Sequence, residues 1–309
     1  LDAMESFYQP TLKSHGYSSI YEKRGSVNHD GCAIFYKKNK FRFVSSQKID
    51  FNDLDKDKDL KVLQYPAATF VTNNVAVISL LEVKHAEPHL ENVYGKRFLW
   101  VLNAHHFADP HYPHIKLLQG NYLLERLQAM RQDLNASKGI PLDTPIVLMG
   151  DLNSTHNSAL YTYITNGNVQ TYGHTSHTSA STPTTETPST TATPAPTSGS
   201  SSVDRLIKDV ARVKTLKHPL VLRNAHQAYG EAVTNLTINF TGCLDYIFHT
   251  KGLVPLGVLE NPTKSENQAL RESILTDDYM GCIPNPSYPS DHLPLLVQFA
   301  FALNPEQAL

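Results

Sequence analysis

Two different periods in the order of hydrophobic and polar residues separate strands from helices along this chain. Before residue 151, five segments rich in β-branched and aromatic residues are each predicted to form a strand: 32–37, 41–45, 75–83, 98–104 and 146–150. Two more strands are predicted near the end of the chain, at 243–248 and 293–302. Such strands, interspersed with helices, are typical of a two-layer α/β sandwich with a mainly antiparallel sheet.

Three segments have the pattern of helices. The longest is 114–134, and its buried face is defined by residues at intervals of 4, 3 and 4 positions, namely Leu123, Leu127, Met130 and Leu134. Residues 158–165 are predicted to form a second helix, and 1–14 the end of a third. The chain therefore supplies both helices and strands for a substantial core.

One segment, 175–202, contains no aromatic residue and no Leu, Ile or Val. Because it cannot bury enough apolar surface to offset the entropy lost on ordering, we predict that it is a disordered insertion. It is either a linker between two domains or a loop extruded from a single domain. The position of the chemistry on either side of it decides between these arrangements.

Composition and charge narrow the class of protein. With 27 basic and 29 acidic residues the formal net charge is -2, which excludes a polybasic tail protein. The longest apolar stretches are too short and too polar to span a bilayer, so we expect no membrane partner. Three cysteines without a CxxC pair favour a reducing compartment, and no signal peptide is recognisable. The predicted location is the cytoplasm, with the nucleus and mitochondrion as open alternatives.

Polar residues able to bind a metal, move a proton or hold a phosphate recur where predicted strands end. They occur in four short strings: Asn103-Ala104-His105, Gly150-Asp151-Leu152-Asn153, Leu244-Asp245-Tyr246-Ile247 and Ser290-Asp291-His292. Each string alone is more typical of a turn or a core residue. Strand ends can, however, project side chains into a shared cleft, and the combination predicts a catalytic site.

In this order, VLNAHHFADP, IVLMGDLNS, LDYIF and YPSDHLPLL resemble the endonuclease/exonuclease/phosphatase superfamily. HDGCAIFYK at 29–37 and NNVAVISLLEV at 73–83 are similar to the branch that holds the carbon catabolite repressor deadenylases, nocturnin and the Angel proteins. The NSxxxSxLYxxI pattern at 153–164 and the long insertion favour the Angel members slightly.

The resemblance implies a four-layer α/β sandwich of the deoxyribonuclease-I-like type, with catalytic groups at one edge of two packed sheets. It also implies one domain over residues 1–309, because matching motifs lie on both sides of the insertion at 175–202. The tract is then a loop within that domain.

The resemblance gives roles to residues in the first half of the chain. Asp151 would act as general base or orient the attacking water, and would also bind the metal. Asn153 would contact the phosphate in the transition state, and His105 would contact the scissile phosphate. Asn74 would line the substrate cleft beside them. Mg²⁺ is the implied cofactor, with Mn²⁺ as an alternative, since such ions activate water and prefer oxygen ligands.

Further roles fall in the second half. His292 would donate to a phosphate oxygen, while its partner Asp245 fixes the tautomer and favours the charged imidazole. Asp291 would serve the metal site or position water. Lys23 and Arg24 are predicted to be a solvated surface pair, with contact to a nucleic-acid backbone as the alternative.

The chain departs from the branch at its front end. The family's main metal-binding glutamate lies in an LQE motif before a helix of pattern FxPxLxxxGY, whose register here places that glutamate upstream of Leu1. We expect the first strands of the sandwich to lie upstream too. The chain is either part of an active enzyme, which the intact remaining motifs favour, or an inactive pseudoenzyme. Ala104 and Ala108 replace a threonine and an aromatic residue of the deadenylases.

The implied activity is a Mg²⁺-dependent phosphoesterase acting on RNA, most simply a 3′-to-5′ exoribonuclease of the poly(A) deadenylase type. The alternatives are an Angel-like 2′,3′-cyclic phosphatase of RNA ends, a nucleotide phosphatase, and an inactive module that binds RNA or protein. Expected partners are a poly(A) tail or another RNA 3′ end, and an mRNA-decay complex. Without the upstream glutamate, the chain from Leu1 is expected to be inactive.

Overall fold

The computed structural model describes residues 3–25, 30–56, 71–84, 95–171, 214–229, 232–261, 282–286 and 288–302. The predicted disordered insertion at 175–202 lies outside these residues, and its disorder stays a prediction.

The described chain contains mainly strands. They are β1 (Tyr17–Lys23), β2 (Gly31–Lys37), β3 (Phe41–Asp50), β4 (Val75–Val83), β5 (Arg97–His105), β6 (Ile146–Asp151), β7 (Asn168–Thr171), β8 (Lys214–Lys217), β9 (Arg223–Asn224), β10 (Asn235–Leu236), β11 (Thr241–Gly242), β12 (Asp245–His249), β13 (Leu253–Val258) and β14 (Val297–Phe301). The α-helices are α1 (Gln9–Ser14), α2 (Pro113–Lys138) and α3 (Ala159–Asn166). A π-helical turn, Met4–Tyr8, precedes α1, and short 3₁₀ helices cover Phe51–Lys56 and Gln227–Tyr229.

The centre of the fold is a six-stranded sheet with the order β3-β4-β5-β6-β12-β9. Only the β5–β6 pair is parallel within it, and the other neighbours are antiparallel. Strand β4 is buried on both faces: Ala76, Ile78 and Leu80 belong to the larger core, and Val77 and Leu81 to the smaller one. Burial on two sides explains why this strand is a continuous apolar run instead of an alternating one.

Helices α2 and α3 cover one face of this sheet. Leu123, Leu127 and Leu134 are buried as their spacing predicts, and Met130 packs partly buried against the same core. The first half of α2 is buried on all sides, from Ile115 to Asn121, because α3 packs against it at Gly120. A Cβ at Gly120 would lie 2.3 Å from the Leu160 side chain, so the close helix contact requires glycine.

The β1–β2 hairpin covers the opposite face of the central sheet, and α1 packs outside it. Asn103 of β5 donates from Nδ2 to the Ala33 carbonyl oxygen at 2.9 Å, and the Cys32 thiol contacts the Val75 carbonyl oxygen at 3.2 Å. Helix, sheet, sheet and helix therefore follow one another, and the predicted four-layer α/β sandwich is confirmed. No helix within the described ranges is long and apolar enough to cross a membrane.

Most predicted elements are found with slightly longer bounds, but the last strand is shorter, with Val297–Phe301 in place of 293–302, and the pattern missed others. Strand β3 extends to Asp50 and α2 to Lys138. Strand β1 was not predicted, because its residues are almost all half-buried and show no alternation. Strand β13, which pairs with β14, was missed as well; it carries Pro255 and a register shift.

At Gly150 the backbone of β6 lies very close to the backbone of β5. Its φ is +138°, and a Cβ there would lie 2.0 Å from the Ala104 carbonyl oxygen on β5. Gly150→Ala should therefore lower the free energy of unfolding by more than about 3 kcal/mol, beyond most single substitutions. Chemical denaturation measures this loss.

Gly139→Ala is the matched control. Gly139 also has a positive φ, +67°, but no atom lies within 4 Å of its added Cβ. This variant should lose only about 1–2 kcal/mol, the cost of the left-handed conformation. Equal losses in the two variants would contradict the role given to the β5–β6 contact.

Candidate active site

Strand register places three predicted site residues in one row across the sheet. His105 is the register partner of Asp151 between β5 and β6, and Asp151 is the partner of Asp245 between β6 and β12. Directly opposed residues project to the same face of a sheet. Asp151 comes before the segment 175–202 and Asp245 after it, so the two halves of the chain meet at this row.

Asp151 lies at the centre of the row. Its Oδ2 is 3.7 Å from His105 Nε2 and 4.0 Å from His292 Nε2. Burial and the neighbouring Asp245 carboxylate raise the pKa of Asp151 to about 7. The side chain can therefore accept and release a proton near neutral pH, as a general base must.

His292 and Asp245 form a short polar contact in the site. His292 Nδ1 lies 2.6 Å from Asp245 Oδ2. This hydrogen bond, against the effect of burial, raises the pKa of His292 to about 9, so its ring is a cation at neutral pH. The predicted His292–Asp245 pair therefore places a proton donor, His292, across from the candidate base, Asp151, at 4.0 Å.

The buried side chains of Thr234 and Asn235 hold Asp245 and His292 in place. The Thr234 hydroxyl accepts hydrogen bonds from the backbone N–H groups of Leu244 and Asp245, at 2.9 and 3.1 Å. Asn235 donates from Nδ2 to the Asp291 carbonyl oxygen at 3.1 Å and forms a β-bridge with His292. Neither residue was predicted, because neither belongs to one of the four motif strings.

Asn153 has a strained backbone with φ +47°. Its N–H donates to Asp151 Oδ1 at 2.7 Å, and its Nδ2 donates to the His106 carbonyl oxygen at 2.9 Å. An amide nitrogen carries two hydrogens, so one remains for a phosphate oxygen. The turn thus holds Asn153 beside Asp151, so that both side chains can contact the same phosphate group.

His105 and Asn74 complete the predicted set. Asn74 is fully buried and donates from Nδ2 to the His105 carbonyl oxygen at 3.0 Å, so it holds the end of β5. Burial and the nearby Arg24 charge lower the pKa of His105, which favours its neutral ring. Its Nδ1 lies 3.8 Å from Asp30, an unpredicted carboxylate that Arg24 pairs with at 3.0 Å. Arg24 is hence not the solvated residue predicted, whereas Lys23 is exposed.

Lys116 is a site residue that sequence reasoning missed. It is 5% exposed and donates from Nζ to the Asn153 carbonyl oxygen at 2.6 Å and to the Ala108 carbonyl oxygen at 3.4 Å. Burial lowers its pKa. The lysine joins the loops that follow β5 and β6. Its signal was a charge within the apolar run Ile115 to Leu118.

Most of the site residues described above line a cleft with a volume of about 830 Å³. Phe240, Ala108 and Pro110 lie on its walls together with the row of site residues. Asp291 also lines the cleft, with an exposed side chain. The cleft therefore joins a polar catalytic floor to apolar walls that can hold a planar group.

A divalent cation would find one free carboxylate in this donor set. Ligand atoms of Asp151, Asp245 and His292 lie within 4.8 Å of one another. Asp245 is already engaged by His292, so Asp151 is the carboxylate best placed to bind a hard cation, which prefers oxygen. The triplet does not include Asp291, the other predicted metal ligand, whose role stays a prediction.

The fold and this site are those of a phosphoesterase family. The pattern of the Endonuclease/Exonuclease/phosphatase family matches residues 3–292, and the chain belongs to that family. Among curated relatives, CCR4-NOT transcription complex subunit 6-like of Danio rerio is 29% identical over 96% of this chain and 52% of its own length. The Ccr4 exoribonuclease subunit of Candida glabrata is 26% identical over 96% of this chain and 30% of its own length.

Solved structures show the same fold. ANGEL2, described as a 2′,3′-cyclic phosphatase in complex with adenosine-2′,3′-vanadate, has a TM-score of 0.66 and 23% identity over 96% of this chain and 78% of its own. The human Nocturnin catalytic domain has a TM-score of 0.56 and 20% identity over 98% of this chain and 78% of its own. The predicted branch is confirmed. This chain spans only about a third to a half of the two curated relatives.

The raised pKa of His292 can be measured. In EDTA, its ring should titrate near pH 9 instead of the ordinary 6.5, and Asp245→Asn should lower that pKa because the hydrogen bond and the negative charge of Asp245 are both lost. Histidine NMR over pH 5–10 follows both proteins. Since the folded chain binds this proton more tightly, the stability from the pair is complete below pH 6.5 and disappears as the pH rises through about 9.

His249, at the other end of β12, is the control. It is 5% exposed, and burial lowers its pKa, so it should titrate below 6.5 in both proteins. A His292 ring that titrates at 6.5 in the unaltered protein, or is unmoved by Asp245→Asn, would exclude the charged pair.

Proposed function

We propose that this protein is a divalent-metal-dependent phosphoesterase acting on RNA, most simply a 3′-to-5′ exoribonuclease of the deadenylase type. One observation carries the proposal: Asp151 faces a charged His292–Asp245 pair on one side and His105 on the other, at the floor of a cleft. This is the set needed to activate water, neutralise a phosphate and protonate a leaving oxygen.

Each residue has a distinct task in this proposal. Asp151, with its pKa near 7, takes the proton from an attacking water. His292, held as a cation by Asp245, donates to a phosphate oxygen. Asn153 and His105 position the phosphate between them. A bound Mg²⁺ or Mn²⁺, held by Asp151 and other oxygen donors, would neutralise charge and lower the pKa of water.

RNA is the proposed substrate because the cleft joins the polar floor to an aromatic wall. Phe240 is half-buried in that wall, where a base of single-stranded RNA can stack on it. Its ring packs against Gly242, whose added Cβ would lie 2.8 Å from it. The relatives named as a 3′-5′-exoribonuclease subunit of the CCR4-Not complex and as a CCR4-NOT transcription complex subunit support this substrate, and an mRNA-decay complex is the proposed partner.

A second candidate is removal of a cyclic or terminal phosphate from RNA ends. Ala108 lines the cleft where the deadenylases carry an aromatic residue, so one stacking surface for adenine is lost. The similarity to ANGEL2 supports the same alternative. The two activities share the residues around Asp151 and differ in what the cleft walls accept.

The full-length protein should hydrolyse RNA in Mg²⁺ and not in EDTA. Oligo(A) with a free 3′ hydroxyl and RNA with a 2′,3′-cyclic phosphate separate the two candidates, and NADPH tests a nucleotide phosphatase. Asp151→Ala and His292→Ala should each lower kcat by about 10²–10⁴-fold, the usual contribution of a general acid or base. Initial rates at saturating substrate give this loss.

Asp133→Ala and His15→Ala are control variants, since both residues are exposed and neither lines the cleft. Their kcat should equal that of the unaltered protein. A fully active Asp151→Ala protein would contradict the site assignment, and no turnover of any substrate would leave an RNA-binding or protein-binding role. The chain from Leu1 alone is proposed to be inactive, because the described cleft residues include no glutamate.

A further inference from the structure

A second cavity lies on the other side of Asp245 from the cleft. Its volume is about 330 Å³, at the small end of ligand pockets, which run from about 300 to 1,000 Å³. It is formed by the start of α3, by β9 and the turn after it, and by the start of β12. Asp245 lines both this side pocket and the cleft.

His226 is a buried polar group without a partner in the side pocket. It is 5% exposed, and neither ring nitrogen has a hydrogen-bond partner among the described residues. Its backbone is held by a hydrogen bond from its N–H to Asn224 Oδ1 at 3.1 Å. Burial lowers its pKa, so the ring is neutral and offers one donor and one acceptor. Leaving such a group unsatisfied costs about 1–3 kcal/mol, which a ligand with matching groups would recover.

Aromatic rings form the walls around this histidine. Tyr161 and Tyr246 have ring centroids 5.3 Å apart, and His156 meets Tyr161 edge to face at 6.4 Å. The amides of Asn224 and Gln227 add further neutral polar groups. Planar aromatic molecules pack against such walls.

The charge of the side pocket selects the ligand class. Among the described residues no Lys or Arg lines it, and its one charged residue, Asp245, is paired with His292. A phosphate or carboxylate group would find no cation there. The fitting ligand is a neutral, planar heterocycle that can both donate and accept a hydrogen bond.

We propose that the side pocket binds a nucleobase, and that His226 hydrogen-bonds to its edge. In the context of the proposed RNA phosphoesterase, on which this assignment of a substrate rests, the base belongs to a nucleotide next to the one at Asp151. Because Asp245 separates the two sites, a strand whose phosphate lies in the cleft can place a neighbouring base beyond it.

Nucleoside binding in EDTA tests the pocket without any turnover. The full-length protein is titrated by NMR with adenosine, guanosine, cytidine and uridine, and with ribose as a control that lacks both base and phosphate. At least one nucleoside should bind and ribose should not. His226→Ala should weaken that binding at least about tenfold, as expected from the loss of a buried hydrogen bond.

Two variants control for fold and location. His249→Ala removes an equally buried histidine at the far end of β12 and should leave nucleoside affinity unchanged. Asp133→Ala changes an exposed residue that lines neither cavity and should also leave it unchanged. If His226→Ala does not fold, Ala232→Leu, which fills the pocket from its wall, should weaken binding instead.

Several results would overturn the proposal: no nucleoside binding, equal binding of ribose, or loss of affinity in Phe240→Ala with none in His226→Ala, which would place the base in the cleft. Failure of the phosphoesterase is a separate outcome. Nucleosides that bind through His226 without any RNA hydrolysis would leave the base pocket standing and remove only the proposed activity.

Discussion

The close approach of β6 to β5 at Gly150 is the constraint on which the site depends. Ala104 and Gly150 are register partners, and no side chain fits between their backbones. This contact fixes the register one residue further along, where His105 meets Asp151, and the antiparallel partner β12 then brings Asp245 beside Asp151. A slip of one residue would turn Asp151 to the other face of the sheet and dissolve the row.

The row concentrates charge that the surrounding residues must balance. Two carboxylates meet in a poorly solvated space, which alone would push a proton onto one of them. His292 offsets part of this charge through Asp245, while buried Lys116 contributes from below the Asn153 turn. Asp151 is left with the raised pKa. Burial beside a second carboxylate disfavours the charged form of Asp151, and the raised pKa lets this side chain act as a base at neutral pH.

The sequence motifs were sufficient for most of the site, whereas the four layers came from the family resemblance, since the hydrophobic pattern alone predicted two. Strands β4 and β6 and helix α2 followed from period and length, and the four motif strings supplied Asp151, Asp245 and His292. The rest depended on contacts between distant segments. Asp30 reaches His105 from the end of a hairpin, and Thr234 reaches Asp245 from an unpatterned loop. Contacts of this kind produce no periodic pattern in the sequence, because each needs only one polar residue in a loop.

Asp245 couples the two cavities because it lines both of them. Its carboxylate holds His292 on the cleft side, and its strand forms a wall of the side pocket. Tyr246, the next residue, anchors that wall by donating from its hydroxyl to the Ser154 carbonyl oxygen at 2.8 Å, one residue beyond Asn153. The turn after Asp151 and the wall around His226 are thus tied to one another. A base that orders the wall would steady the turn carrying Asn153, so that binding beyond the cleft favours the geometry needed within it.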